Sequence, residues 1–138
     1  MLMRVMGVDY GDARTGIAVS DETCTIVGDV WVINESNMQK TVESVVSEAI
    51  ARQVGTIVVG YPKNMDGSIG PRAVKSEELV ELIRSKCDID VVLSDERLST
   101  SFAHKILTDS GKHGKKRKKI IDAVAASIIL ESYLRIRN

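Results

Sequence analysis

The chain of 138 residues has few cysteines and no long apolar run. Its two cysteines, Cys24 and Cys87, form no CxxC pair and stand near no cluster of histidines. This pattern argues against a disulfide scaffold or a structural zinc site and is typical of a cytoplasmic protein. Charged residues interrupt every hydrophobic segment, so no membrane span is expected. The N-terminus lacks the long apolar region and small-residue cleavage site of a secretory signal.

Aromatic residues are also scarce, and the chain has no net charge. Aromatics make up 4% of the chain, so base-stacking surfaces of the kind that bind single strands are poorly supplied. The formal net charge is +0, but the charge is distributed unevenly. Residues 112–119 contain six of the 19 basic residues and no acid, which leaves 13 basic against 19 acidic residues elsewhere. A polyanionic partner is therefore compatible with this composition.

Length and patterning predict one α/β domain over residues 1–138, with 43% hydrophobic residues. The first three strands lie too close in sequence for parallel crossovers, so they should form an antiparallel meander. The later strands alternate with helices and should lie parallel. The predicted fold is a mixed five-stranded sheet flanked by helices. Strands are expected at 4–9, 15–20, 24–33, 56–60 and 90–94, and the last two should be buried. Helices are expected at 38–53, from Pro71 onward, from Ser99 or Thr100 to Leu107, and at 120–135.

Carboxylates follow the ends of the predicted parallel strands. Asp9 ends the first strand, and Asp95 and Glu96 follow the last, so they should meet at one edge of the sheet. Asp122, expected in the first turn of the last helix, is a further member. Grouped carboxylates repel each other unless a divalent cation such as Mg²⁺ joins them. Taken singly, each acid is better explained by a turn, a solvated surface or a helix-dipole contact, and it is their joint placement at one edge that favours a metal site.

Glycine and arginine around Asp9 suggest phosphate binding. Gly7, Gly11 and Gly16 could cradle a phosphate through backbone amides, or could serve a tight hairpin that needs positive φ. Arg14 and Arg97 could each hold a phosphate bidentately, or pair with the nearby acids.

The basic run, which we define as residues 112–119, precedes Asp122 and should lie beside the acidic edge as a solvated loop. Positive charge that holds a phosphate backbone next to a metal centre is what a nuclease requires. Its expected contacts to nucleic acid come from Lys115, Lys116, Arg117, Lys118 and Lys119.

Four blocks of sequence resemble the YqgF family, also called RuvX. They are DYGDARTGIA at 9–18, VGYPKNMDG at 59–67, DERLST at 95–100 and DAVAA at 122–126, in the family's order and spacing. The third block is the most specific, whereas actin-like ATPases and sugar kinases share a similar first block. The resemblance implies a ribonuclease H-like fold in a bacterial cytoplasmic nuclease. It maps the family's acidic residues onto Asp9, Glu96 and Asp122.

These observations together predict a nuclease that uses Mg²⁺ or Mn²⁺ held by Asp9, Glu96 and Asp122, with a contribution of Asp95 left open. The resemblance implies maturation of the 5′ end of pre-16S ribosomal RNA. Pre-ribosomal particles as partners and a monomer or weak homodimer as the assembly are further expectations. Cleavage of Holliday junctions is the alternative within enzymes, and it requires a two-fold dimer. Two other classes are an actin-like ATPase, which needs two copies of this unit, and a non-catalytic RNA-binding module.

Overall fold

The computed structural model describes residues 3–95 and 114–137, with the side chains of 114–119 left aside. The predicted helix that ends at Leu107 lies outside these residues. The elements are β1 (Arg4–Asp9), β2 (Arg14–Ser20), β3 (Val27–Asn34), α1 (Met38–Ala51), β4 (Val54–Tyr61), α2 (Pro71–Lys86), β5 (Asp90–Asp95) and α3 (Gly114–Arg137).

The five strands form one mixed sheet in the order β3-β2-β1-β4-β5. β1 pairs antiparallel with β2, and β2 with β3, whereas β1, β4 and β5 run parallel. The predicted meander and parallel strands are therefore confirmed. The parallel arrangement brings the carboxyl ends of β1, β4 and β5 to one edge, which we call the carboxyl edge.

Alternate residues of the strands bury opposite faces of the sheet. Met6, Val8 and Ile57 pack with α1 and α2 on one face. Val5 and Val58 pack with α3 on the other, where Leu130 is fully buried. A side chain of that size contributes about 1.5–3 kcal/mol when it leaves water. The carboxyl edge is thus held between helices on both faces of the sheet.

Two sequence predictions about strands need correction. β5 is an edge strand, and Leu93 is 40% exposed, so the prediction of a fully buried strand is wrong. β3 begins at Val27 instead of residue 24. The Asp21 carboxylate accepts hydrogen bonds from the backbone N–H groups of Thr25 and Ile26, which keeps the preceding residues in a turn.

The last helix also differs from its prediction. α3 begins at Gly114, so the backbone of residues 115–119 is helical and the prediction of a solvated loop there is wrong. Lysine and arginine are good helix formers, and their charge alone does not break a helix. Asp122 is therefore in the third turn, not the first. Of the helix's predicted core residues, Ala125 and Leu130 are buried, whereas Ile121, Val124 and Ile128 are half-buried.

Within residues 3–95 and 114–137, no helix is both long enough and apolar enough to cross a bilayer.

Candidate active site

Asp9 is the last residue of β1 and one of few buried polar side chains, at 9% exposure. Side chains two or four residues apart in a strand share a face, so Asp9 lies with Val5 and Gly7 on the face of the sheet that α3 covers. In the antiparallel ladder its partner across β2 is Gly16, which shares that face. The strand thus places a carboxylate at the carboxyl edge, under the helix.

Close contact between α3 and the backbone of the sheet brings Asp122 to the same place. A Cβ at Gly16 would lie 2.0 Å from the carbonyl oxygen of Asp122, and one at Gly7 would lie 2.9 Å from that of Ala126. Only glycine fits at Gly16, because the obstacle is helix backbone that cannot rotate away. Paired Cα atoms in such a ladder are about 5 Å apart, so Asp9 and Asp122 are near neighbours.

Arg14 completes this cluster from the first position of β2. Its Nε lies 3.3 Å from Oδ2 of Asp122, with side-chain exposures of 21% and 22%. The two residues are 108 positions apart in sequence. Of the two roles that the sequence allowed for Arg14, the structure contains the ion pair with a neighbouring acid.

The loop between Asp9 and Arg14 is also tied to α2, on the opposite face. Nζ of Lys75 lies 2.6 Å from Oδ1 of Asp12. That hydrogen bond raises the pKa of Lys75. Burial, with a smaller contribution from Asp12, raises the pKa of Tyr10. Sequence reasoning missed Tyr10, Asp12 and Lys75, since no local pattern links two residues 63 positions apart.

Steric fit, not a left-handed backbone, explains the glycine of this loop. A Cβ at Gly11 would lie 2.3 Å from the carbonyl oxygen of Arg14. Among the glycines in the described residues, Gly67 has a positive φ, whereas Gly7, Gly11 and Gly16 do not. The prediction of a hairpin that needs positive φ is therefore wrong, and close approach of backbone is the reason instead.

The remaining predicted residues are placed to different degrees. Asp95 ends β5 opposite Tyr61 and is exposed. Asp95 is four residues after Val91 and therefore shares its face of the sheet, which α1 and α2 cover, so Asp95 lies on the face opposite Asp9. Glu96 and Arg97 lie outside the described residues.

The backbone of the basic run from residue 115 to 119 extends α3 past Asp122, on the side away from Ala126. At 1.5 Å per residue, these positions lie roughly 5–10 Å from Asp122 along the helix axis. The predicted proximity of the run to the acidic edge is therefore consistent with the backbone, although the predicted loop is not.

The loop after β4 borders the same edge and is braced by its own side chains. Nδ2 of Asn64 donates to Oγ of Ser68 at 2.9 Å, and that hydroxyl donates to Oδ1 of Asp66 at 2.6 Å. Nζ of Lys63 lies 5.5 Å from the centre of the Tyr61 ring. These contacts give the loop a defined shape beside the carboxyl edge.

Comparison with known proteins identifies the family. The family model described as "RuvX: Holliday junction resolvase" matches residues 3–136. The chain belongs to the RuvX family. A relative from Halothermothrix orenii, named "Putative pre-16S rRNA nuclease", is 43% identical over 136 residues, which are 99% of this chain and 97% of that protein.

Solved structures place this RuvX family member among ribonuclease H-like folds, as the resemblance implied. The Fowlpox virus resolvase, solved with substrate Holliday junction DNA, matches with a TM-score of 0.64 and 10% identity over 98% of this chain and 99% of that one. RuvC from Thermus thermophilus matches with a TM-score of 0.57 and 13% identity over 98% and 97%.

The residues present at the carboxyl edge of this RuvX family member fit a divalent cation. Asp9 and Asp122 present carboxylates on one face, and Mg²⁺ is typically held by one or two carboxylates together with waters and phosphate oxygens. Within 3–95 and 114–137, no group of three or more potential metal-ligating side chains occurs. A third protein ligand would have to come from outside those ranges, where Glu96 lies.

Proposed function

We propose that the chain is a divalent-metal-dependent nuclease that hydrolyses phosphodiester bonds in structured nucleic acid, and that pre-16S ribosomal RNA is its substrate. The observation that carries this proposal is the convergence of Asp9 and Asp122, which Gly16 permits. Two acids separated by most of the chain have no need to meet in a protein that only binds RNA. The relatives' printed name supports RNA as the substrate.

Asp9, Glu96 and Asp122 would hold Mg²⁺ or Mn²⁺ in this proposal. When bound, the ion supplies Lewis-acid stabilisation of the charge that develops on the phosphate. Asp9 and Asp122 would hold the ion in a fixed position, because the backbone fixes both residues, one at the end of a strand and one within a helix. Arg14 and Arg97, as well as the basic run, would hold neighbouring phosphates of the substrate.

A Holliday junction resolvase is the second candidate, because the family's own description names that activity. Symmetric cleavage of a junction requires two active sites related by a two-fold axis, and hence a dimer. Pre-ribosomal particles as partners, a cytoplasmic location and a monomer or weak homodimer go with the first candidate.

A cleavage assay with the purified chain distinguishes these candidates. We expect cuts near the mature 5′ end of precursor 16S RNA when Mg²⁺ or Mn²⁺ is present, and none in excess EDTA. A four-way DNA junction should be cut slowly or not at all under the same conditions. Paired symmetric cuts in the junction, with intact RNA, would favour the resolvase. Binding without cleavage of either substrate would leave a non-catalytic RNA-binding module.

The basic run should set the salt dependence of binding. Replacing Lys115, Lys116, Lys118 and Lys119 with alanine should lower affinity for RNA, and each lost phosphate contact should reduce the log–log salt slope by about 0.7–0.9. Because these positions are helical and alanine is the best helix former, the fold should survive. Alanine at Lys40 and Lys86, which lie in other helices, provides a control that removes half as many charges and should leave the slope unchanged. An unchanged slope would remove the run from the binding surface.

A further inference from the structure

Arg14 is paired with Asp122, one of the proposed metal ligands, through the 3.3 Å contact between Nε and Oδ2. We propose that Arg14 is an exchangeable cation: it occupies Asp122 in the free protein and moves to a substrate phosphate when nucleic acid binds. The carboxylate oxygen of Asp122 that Arg14 had held is then released for the metal ion. This inference rests on the proposed nuclease function and adds a coupling between its metal and its substrate.

Competition at Asp122 follows from the contact itself. A carboxylate oxygen that accepts a charge-assisted hydrogen bond from a guanidinium is a poorer ligand for a divalent ion. Both side chains are about four-fifths buried, so water screens their attraction less than at the surface. A metal ion that binds the free protein must displace Arg14 or accept its positive charge as a close neighbour.

A phosphate is a suitable second partner for the same side chain. Guanidinium groups bind carboxylates and phosphates with the same planar, two-pronged geometry. The backbone that carries Arg14 is fixed on both sides: its carbonyl lies against Gly11, and Asp12 in the same loop pairs with Lys75. A rotation of the side chain about its own bonds is therefore enough to exchange partners, and no rearrangement of the loop is needed.

The consequence is positive linkage between the two ligands. If nucleic acid removes Arg14 from Asp122, it raises the affinity for metal, and metal must raise the affinity for nucleic acid by the same factor. The free protein would hold its ion weakly and load it mainly in the presence of substrate. Arg14 thereby couples the two ligands, because it contacts Asp122 in one state and the substrate phosphate in the other.

The test measures Mn²⁺ affinity by electron paramagnetic resonance of the free ion, for the wild type and for Arg14→Gln. Each protein is titrated alone and when saturated with an RNA stem-loop whose phosphorothioate linkages resist hydrolysis. We expect Arg14→Gln to bind Mn²⁺ about five- to tenfold more tightly than wild type when alone, at the low end of usual coupling. With RNA bound, the two affinities should converge, because Arg14 has left Asp122 in the wild type.

Arg72→Gln is the matched control, since Arg72 is an exposed residue in the first turn of α2 near the same edge. It removes the same charge and should leave Mn²⁺ affinity unchanged. Equal tightening by Arg14→Gln with and without RNA would overturn the exchange and indicate simple charge repulsion. No tightening in the free protein would overturn it as well.

Two further measurements keep the outcome decisive. If Arg14→Gln does not fold, the side-chain Nε–H resonance of Arg14 in the wild type should shift when the phosphorothioate RNA is added without metal. No shift would contradict the exchange. Failure of the nuclease function itself has a separate signature, because the wild type would then leave RNA and DNA intact at saturating Mn²⁺, whatever the linkage.

Discussion

Asp9→Asn should abolish cleavage and leave the metal-free fold intact. The substitution keeps the shape of the side chain and removes only its charge at a site of 9% exposure. Loss of a metal ligand forfeits several kcal/mol of transition-state stabilisation, which corresponds to about a thousandfold or more in rate. The unfolding free energy should stay within about 1 kcal/mol of wild type. The substitution relieves repulsion between Asp9 and Asp122, and this gain is small because Arg14 already offsets the charge of Asp122.

Calorimetry and thermal melting, each with and without Mn²⁺, provide the readout beside activity. The wild type should gain stability with Mn²⁺ by mass action, whereas Asp9→Asn should gain little. Asp88→Asn is the control, because Asp88 is an exposed carboxylate just before the opposite end of β5. A variant that binds Mn²⁺ normally and still cuts would disprove the site. A variant that unfolds would mean that Asp9 chiefly satisfies the backbone of a turn.

The meeting of these acids could be predicted because it follows from topology. The apolar run at 56–60 and the short apolar segment at 4–9 predict buried parallel strands, and the carboxyl ends of parallel strands lie at one edge of the sheet. Asp9 needed only that argument. To predict the position of Asp122 also requires that the last helix cross the same edge. The order of elements allows this crossing but does not determine which residue of the helix lies at the edge.

The position of α3 along the sheet depends on contacts that no local sequence pattern reveals. The pair between Arg14 and Asp122 spans 108 residues, and a lone sequence does not distinguish this partner from a phosphate. For the glycines at positions 7 and 16 the sequence allows a phosphate cradle or a tight hairpin, whereas in the structure the backbone of α3 lies against both of them. Hydrophobic periodicity likewise places the last helix but not its start, since lysines carry no periodic signal and are helical from Gly114.

Gly16→Ala should disrupt both the fold and the metal site, although the residue carries no functional group. Its new Cβ would lie 2.0 Å from the carbonyl oxygen of Asp122 and 2.6 Å from the carbonyl carbon. α3 must therefore move away from β2, and overpacking of this kind costs about 1–3 kcal/mol or more. The same displacement moves Asp122 away from Asp9, so Mn²⁺ affinity should fall even in molecules that remain folded.

Gly28→Ala separates the metal effect from a general loss of stability. A Cβ there would lie 3.2 Å from the carbonyl oxygen of Val19, so the exposed edge strand β3 needs to yield by only a few tenths of an ångström. We expect a small loss of stability and wild-type Mn²⁺ affinity. Urea titration gives the stability of each variant, and Mn²⁺ titration at a temperature where both are folded gives the affinity. If Gly16→Ala matched Gly28→Ala in both measurements, close approach of α3 would not be what holds the two carboxylates together.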